Sequence, residues 1–216
     1  PAPLRYAGDV ARRVLLAHGI AVQGRIVEGS AAPNVRVLWA HDSEPSAQML
    51  ADMWYPSDNL IAEMFIKTLG LAGGSQGTTA VGIAQELTYL KTIGIDTTTI
   101  AVSDGAGISA YNRMTPRSLV TILAADWAGP YRNVVLDALP VAGVRGTLLN
   151  AFTNTAAQRR VFAKTGSMRN VRTLSGYIAN VRHGALVFSF LVGDWLGDDD
   201  ALDDIRGKIL SELVTE

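Results

Sequence analysis

The 216-residue chain contains no cysteine. That absence excludes disulfide bonds, thiolate nucleophiles and zinc sites built on cysteine. Histidine is almost as scarce, because His18, His41 and His183 are dispersed and no two of them have His-x-x-x-His spacing. We therefore expect neither a metal site nor any other cofactor. His41 and His183 are expected at the surface or in turns.

Long apolar runs and a dominant charge are also missing. The longest apolar stretch, residues 185–192, has the length of a strand, whereas a membrane-spanning helix needs roughly 18 apolar residues. The net charge is −1 and the basic residues are scattered, which argues against nucleic acid as a partner. With 48% hydrophobic and 18% charged residues, the composition is that of a globular protein with a full core.

Hydrophobic periodicity predicts helices in the middle of the chain and an antiparallel meander near its end, closed by a helix. This order predicts an α+β fold with an antiparallel sheet packed between helices, not a doubly wound sheet. The four tryptophans are expected to be core or half-buried anchors. The predicted helices are residues 8–18, 43–53, 59–69, 79–93, 116–127, 131–139 and about 198–213, and the predicted strands are 20–27, 35–40, 97–102, 160–165, 172–180 and 185–192.

The tripeptide Lys164-Thr165-Gly166 stands at the end of one predicted strand. A lysine at a strand edge can direct its ammonium at an anionic substrate or a hydroxyl network, and a threonine hydroxyl can bind a carboxylate. A glycine lets a ligand backbone lie against the strand. The alternative interpretation is an ordinary strand that ends in a glycine turn, which is the more common meaning of this tripeptide alone.

Ser57-Asp58-Asn59 follows Pro56 far upstream of that strand. Serine or aspartate after a proline is favoured as a helix N-cap, and capping alone would explain the tripeptide. Capping and catalysis are compatible, however, because a helix start holds side chains rigidly. Two such tripeptides in this order are much less expected by chance than either one.

Ser-Asp-Asn and Lys-Thr-Gly are two of the three motifs of the serine enzymes that acylate on penicillin and on D-Ala-D-Ala peptides. The third motif, Ser-x-x-Lys, carries the nucleophile, and no serine of this chain has a lysine three positions later. Gly-x-Ser-x-Gly and Walker-type loops are also missing, so neither an α/β-hydrolase nor a nucleotide-binding site is supported.

Further segments extend the resemblance to almost the whole chain. Residues 55–63 resemble the second-motif segment of the DacB-type D-alanyl-D-alanine carboxypeptidase/endopeptidases, the class C penicillin-binding proteins. Residues 103–109 and 112–116 resemble the family's glycine turn and the helix start that follows it. Residues 139–148 and 163–167 resemble two later blocks, in family order. Two departures stand out, because Ala106 replaces a usual serine and Arg145 stands where an acidic residue is common.

The resemblance implies a penicillin-recognising, transpeptidase-like domain that is incomplete at its N-terminal side. Residues 1–34 would be the return from inserted domains, and residues 35–216 would carry the two motifs. The nucleophile would come from a preceding Ser-x-x-Lys segment, so the isolated fragment is predicted to be inactive. A non-catalytic relative that binds cell-wall peptide or a partner protein is the alternative.

The resemblance also implies a role for each motif residue. Ser57 would relay a proton to the leaving D-alanine, Asn59 would hold the substrate amide, and Lys164 would supply positive potential. Thr165 and Ser167 would bind the terminal carboxylate, beside Gly166. The implied partners are a peptidoglycan stem peptide or a β-lactam and the chain's own Ser-x-x-Lys segment, in the periplasm or cell-wall space.

Overall fold

The computed structural model describes residues 2–30, 32–74 and 76–216. The chain divides into two compact units, residues 1–43 and 44–216. The helices among the described residues are α1 (Pro3–Ala17), α2 (Ser46–Trp54), α3 (Asn59–Ala72), α4 (Thr79–Thr92), α5 (Pro116–Ala128), α6 (Arg132–Ala138) and α7 (Asp199–Thr215). The strands there are β1 (Val161–Met168), β2 (Val171–Asn180) and β3 (Gly184–Val192), and Gly146–Leu148 form a 3-10 turn.

The first unit contains α1 and, among its described residues, no strand. The strands predicted at residues 20–27 and 35–40 are therefore wrong. Alternating apolar residues favour extended backbone, but a strand also needs a neighbour that supplies ladder hydrogen bonds. Trp39 was expected to be at least half-buried, and that is wrong too, because it is 78% exposed and stacks on the ring of His41.

In the second unit, α3 and α4 pack closely against each other. A Cβ atom on Gly82 of α4 would lie 1.8 Å from the carbonyl oxygen of Ile66 in α3, so this contact requires glycine. Asp58 caps α3 by accepting the Ile61 N–H at 2.9 Å. The helix predicted from residue 59 is confirmed, and it runs three residues beyond its predicted end.

The three strands form one antiparallel sheet in the order β1-β2-β3. Lys164 of β1 lies opposite Ser175 of β2, which lies opposite Ser189 of β3. The three predicted strands of the meander are confirmed. The strand predicted at 97–102 is wrong, because only Ala101 pairs there, in a single bridge with Arg113.

Helices cover both faces of this sheet. Side chains alternate along β2, so Leu174 and Ile178 point to one face and Tyr177 to the other. Leu174 and Ile178 belong to a core cluster that also contains Leu210 and Val214 of α7. Tyr177 is 2% exposed, donates its hydroxyl to the Leu123 carbonyl of α5 at 2.8 Å, and packs against Trp127 of α5. The predicted α+β architecture, with the sheet between helices, is confirmed.

The outer edge of β1 is covered over its first half only. The Ala142 N–H donates to the Val161 carbonyl, and the Ala163 N–H donates to the Pro140 carbonyl, each at 3.0 Å. From Lys164 onward, no segment of the described chain pairs with this edge. Because strand N–H groups alternate between the two sides, and that of Ala163 points outward, those of Thr165 and Ser167 also face the open edge.

Candidate active site

The two motif tripeptides meet through one hydrogen bond. The Lys164 ammonium donates to Ser57 Oγ at 2.7 Å, although the two residues are 107 positions apart. The same ammonium donates to the Thr165 carbonyl at 2.6 Å. Strand alternation places Lys164 on the face of the sheet that Ser175 and Tyr177 share, away from α7.

The electrostatic environment of Lys164 is unusual for a lysine. Its side chain is half-buried, and within the described part of the chain no carboxylate oxygen lies within 4.0 Å of its ammonium. Burial lowers the pKa of Lys164 below the ordinary lysine value, because desolvation disfavours the charged form. A partly dehydrated ammonium without a carboxylate partner favours an anionic ligand beside it.

Ser57 lies in the tight connection between α2 and α3. Its φ is +62°, a left-handed conformation that non-glycine residues rarely adopt and that costs of order 1–3 kcal/mol. The Asp58 N–H donates to the Met53 carbonyl at 2.8 Å, and Asp58 serves as the N-cap of α3. Aspartate therefore does the capping, which leaves the hydroxyl of Ser57 to meet Lys164.

Asn59 is the first residue of α3 and is exposed. Among the described residues, its side chain makes no hydrogen bond. The structure therefore brings Ser57 and Lys164 together. Asn59 lies two residues after Ser57, at the start of α3, with its side-chain amide available.

The three residues after Lys164 lie along the open part of the β1 edge. The Thr165 hydroxyl donates to Thr147 Oγ1 at 2.8 Å, and Ser167 is exposed. A Cβ atom on Gly166 would lie 2.3 Å from Thr173 Oγ1 across the strand pair. The pairing of β1 with β2 therefore favours glycine at this position, in addition to any ligand that approaches the strand edge.

Sequence reasoning missed two residues that fix this region. Thr147 belongs to the 3-10 turn, and its hydroxyl is the partner of Thr165. Glu63, one turn after Asn59 on α3, accepts the backbone N–H groups of Gly105 and Ala106 at 2.8 and 3.1 Å. Both residues lie inside segments that carry the family resemblance, which was the only signal that could have found them.

The loop that Glu63 holds is organised around Asp104. This carboxylate accepts the N–H groups of Gly107 and Ser109 at 2.7 and 2.6 Å and the Asn112 side-chain amide at 2.9 Å. Burial acts to raise the pKa of Asp104, but these hydrogen bonds outweigh it and hold the pKa below the usual range. Asp104 thus stabilises this turn.

Other parts of the described chain offer less chemistry. A groove of about 1040 Å³ lies between residues 150–155 and α7, but it contains neither Ser57 nor Lys164. No group of three acidic or histidine side chains suited to a metal ion occurs among the described residues. His183 is exposed in the hairpin between β2 and β3, as predicted. No helix within the described ranges is long and apolar enough to cross a membrane.

Comparison with known proteins places the chain in a family. The family model described as "D-Ala-D-Ala carboxypeptidase 3 (S13) family" matches residues 1–212. The chain belongs to this S13 family. The resemblance inferred from the motifs is thereby confirmed for the chain as a whole.

Two curated proteins that are similar to this chain are named as carboxypeptidases. The D-alanyl-D-alanine carboxypeptidase of Actinomadura sp. (strain R39) is 32% identical over 197 residues, which cover 88% of this chain and 36% of that protein. The D-alanyl-D-alanine carboxypeptidase DacB of Haemophilus influenzae is 27% identical over 202 residues, covering 89% of this chain and 41% of that protein. The chain thus spans less than half the length of these relatives.

Solved structures agree with the fold of the S13 chain. Penicillin binding protein 4 (dacB) from Haemophilus influenzae matches with a TM-score of 0.86 and 25% identity, over 98% of this chain and 49% of that chain. TLA-3 extended-spectrum beta-lactamase matches with a TM-score of 0.58 and 14% identity, over 78% of this chain and 64% of that one. The fold is therefore that of the penicillin-recognising enzymes.

Proposed function

We propose that this chain forms part of the acyl-transfer site of a serine-type D-Ala-D-Ala carboxypeptidase/endopeptidase that acts on peptidoglycan peptides and binds penicillin. The observation that carries the proposal is the 2.7 Å hydrogen bond from the Lys164 ammonium to Ser57 Oγ, in a chain of the S13 family. A structural accident does not readily explain this contact, because it joins a strained serine to a partly dehydrated lysine.

The nucleophile is the serine of a Ser-x-x-Lys segment that these 216 residues do not contain. That serine attacks the carbonyl carbon of the penultimate D-Ala, and its hydroxyl proton passes to the motif lysine as general base. The peptide bond to the terminal D-Ala breaks, and the departing amine takes up a proton through Ser57. Water then hydrolyses the ester and releases the shortened peptide.

Lys164 keeps the Ser57 hydroxyl oriented for that proton transfer. Its ammonium can only donate, so Ser57 Oγ accepts from it and its own proton is free to point at the leaving amine. The positive charge also favours an anionic substrate nearby. Asn59 holds the substrate amide from the start of α3.

The open edge of β1 binds the substrate backbone as an added strand. The outward N–H groups of Thr165 and Ser167 are available to a peptide that lies along this edge. The N–H of Ser167 forms one half of the oxyanion hole, and the N–H of the absent nucleophile forms the other. The hydroxyls of Thr165 and Ser167 hold the terminal carboxylate next to Gly166. The substrate places the enzyme outside the cytoplasm, in the periplasm or cell-wall space.

The experiment is covalent labelling with fluorescent penicillin, followed by digestion and mass spectrometry. We expect one adduct per molecule of the natural protein, which means the protein as its gene encodes it. The adduct should lie on a serine with a lysine three positions later. These 216 residues produced alone are expected to remain unlabelled. A stable one-to-one adduct on Ser57 or any other serine of this chain would overturn the proposal.

The same experiment separates the enzyme from a binding protein with the same groove. Absence of any adduct on the natural protein, together with calorimetric binding of a stem peptide that Lys164→Ala abolishes, would favour a non-catalytic peptide-binding relative. Release of D-alanine from a peptide that ends in D-Ala-D-Ala favours the enzyme.

A further inference from the structure

Arg145 makes an unusual set of contacts at the C-terminal end of α6. Its guanidinium donates to the carbonyls of Leu139, Leu136 and Asp137, at 3.2, 3.1 and 2.8 Å. The last carbonyls of a helix have no partner within the helix, and the negative end of the helix dipole favours a cation there. In the family that the sequence resembles, an acidic residue is common at this position. A carboxylate side chain has no N–H group to donate to these carbonyls.

The same guanidinium lies over the ring of Tyr55. The distance from its central carbon to the ring centroid is 5.2 Å, within the range of a cation–π contact. The Tyr55 hydroxyl donates to the carbonyl of Asp137, which also accepts from Arg145. Arg145 and Tyr55 therefore share one acceptor, and the three groups form a closed cluster.

Tyr55 is two residues before Ser57. Pro56 stands between them with its fixed φ, and Ser57 itself is in the left-handed conformation. A connection this short and this restricted transmits the position of Tyr55 to the Ser57 hydroxyl. Helix α2, which ends next to Tyr55, also packs against α6.

The backbone of Arg145 is attached to the strand that carries Lys164. Arg145 exchanges two backbone hydrogen bonds with Val141, each at 3.1 Å, and Val141 forms a bridge with Phe162 of β1. Phe162 is two residues before Lys164. The main chain of Arg145 is thus connected to β1, which carries Lys164. Its side chain contacts Tyr55, which precedes the Ser57 turn.

We propose that Arg145 is a positioning residue that holds the Ser57 turn against β1 through Tyr55, and so sets the contact between Ser57 and Lys164. The geometric part of this inference concerns the chain alone. Its consequence for acyl transfer rests on the proposed function. Ser57 and Lys164 form one direct contact between the α2–α3 connection and β1. Arg145 provides a second connection between the same two segments.

The test compares Arg145→Ala with Arg132→Ala in the natural protein. Arg132 is the matched control, because it lies at the other end of α6 and also makes a cation–π contact, with Trp127 at 5.1 Å. The first measurement is the NMR signal of the Lys164 side chain, assigned by its loss in Lys164→Arg. The second is the rate of acylation by fluorescent penicillin. Melting temperatures report on the fold.

We expect Arg145→Ala to move the Lys164 signal toward that of a solvent-exposed lysine and to slow acylation roughly tenfold, a change of about 1.4 kcal/mol. Arg145→Lys should restore only part of the rate, because an ammonium lacks the planar fork that reaches several carbonyls. Arg132→Ala should change neither measurement. A folded Arg145→Ala protein with an unchanged Lys164 signal would overturn the inference.

Tyr55→Leu provides the second variant in case Arg145→Ala does not fold. It keeps the hydrogen bonds of Arg145 to α6 but removes the link to the Ser57 turn, and we expect the Lys164 signal to move again. An unchanged signal in that folded variant would also refute the positioning role. A shifted Lys164 signal with a normal acylation rate would support the positioning role and would contradict the proposed function of the Ser57–Lys164 pair.

Discussion

Glu63 offers a quantitative test of how the site region is held together. Its carboxylate accepts the N–H groups of Gly105 and Ala106 at 2.8 and 3.1 Å, across a sequence separation of more than 40 residues. The loop lies directly on α3, since a Cβ atom on Gly105 would be 2.6 Å from the Ala62 carbonyl oxygen. Glu63→Ala removes the only side-chain acceptor these two N–H groups have among the described residues.

The size of the effect follows from the number and kind of hydrogen bonds. Each hydrogen bond to a charged group contributes about 1.5–3 kcal/mol. Two of them give an upper range of about 3–6 kcal/mol, and water that enters the half-buried site after the truncation reduces it. We therefore expect Glu63→Ala to lower the free energy of unfolding by about 2–3 kcal/mol. Glu63→Gln, which keeps a neutral oxygen acceptor, should cost about 1 kcal/mol.

The assay is urea denaturation, in which a changed midpoint at constant m-value reports stability. Hydrogen exchange of the Gly105 and Ala106 amides gives the local readout, and it should accelerate more in Glu63→Ala than in Glu63→Gln. A loss below about 0.5 kcal/mol in Glu63→Ala, the usual range for an inert surface change, would refute the reasoning. So would equal effects of the two substitutions.

Three further predictions concern stability and ionisation. Tyr177→Phe removes the buried hydrogen bond to the Leu123 carbonyl and should cost about 1 kcal/mol in urea denaturation; no change would contradict it. Hydrogen bonds from Arg172 lower the pKa of Asp199, so Asp199→Asn should reduce the melting temperature at neutral pH, and the difference should vanish as the pH falls through the lowered pKa. Burial lowers the pKa of Lys164 in the folded protein. Between the folded and the unfolded pKa values the unfolded chain therefore binds one more proton, so the free energy of unfolding should rise with pH across that window. A Lys164→Gln protein whose stability depends on alkaline pH in the same way would refute this.

The sequence predicted the parts of the fold that depend on local pattern. Strands β1 to β3 are rich in apolar residues and are joined by short turns, and each lies next to its pairing partner in the chain. Residues 20–27 and 35–40 are also rich in apolar residues but have no such partner among the described residues, which is why strands were wrongly predicted there. The exposure of Trp39 follows from the same lack of a packing surface.

The sequence identified the motif residues of the candidate site, but it did not identify the residues that support them. Motif order identified Ser57 and Lys164, and their hydrogen bond joins segments 107 residues apart. The roles of Glu63, Thr147 and Arg145 depend on how helices and loops pack in three dimensions, and no local pattern encodes those contacts. Arg145 was visible in the sequence only as a departure from the family, whereas its hydrogen-bond partners are backbone carbonyls that any sequence provides.

The most direct test of the central claim is the rate of penicillin acylation in the natural protein with Lys164→Ala. This substitution removes the ammonium from Ser57, and Lys208→Ala on the exposed face of α7 is the control. Loss of one charge-assisted contact of about 3 kcal/mol corresponds to a rate roughly 10²-fold lower. The account predicts that loss in Lys164→Ala, with D-alanine release reduced in parallel and a normal rate in Lys208→Ala. A folded Lys164→Ala protein that acylates at the normal rate would contradict it, and Lys-Thr-Gly would then be an ordinary strand end.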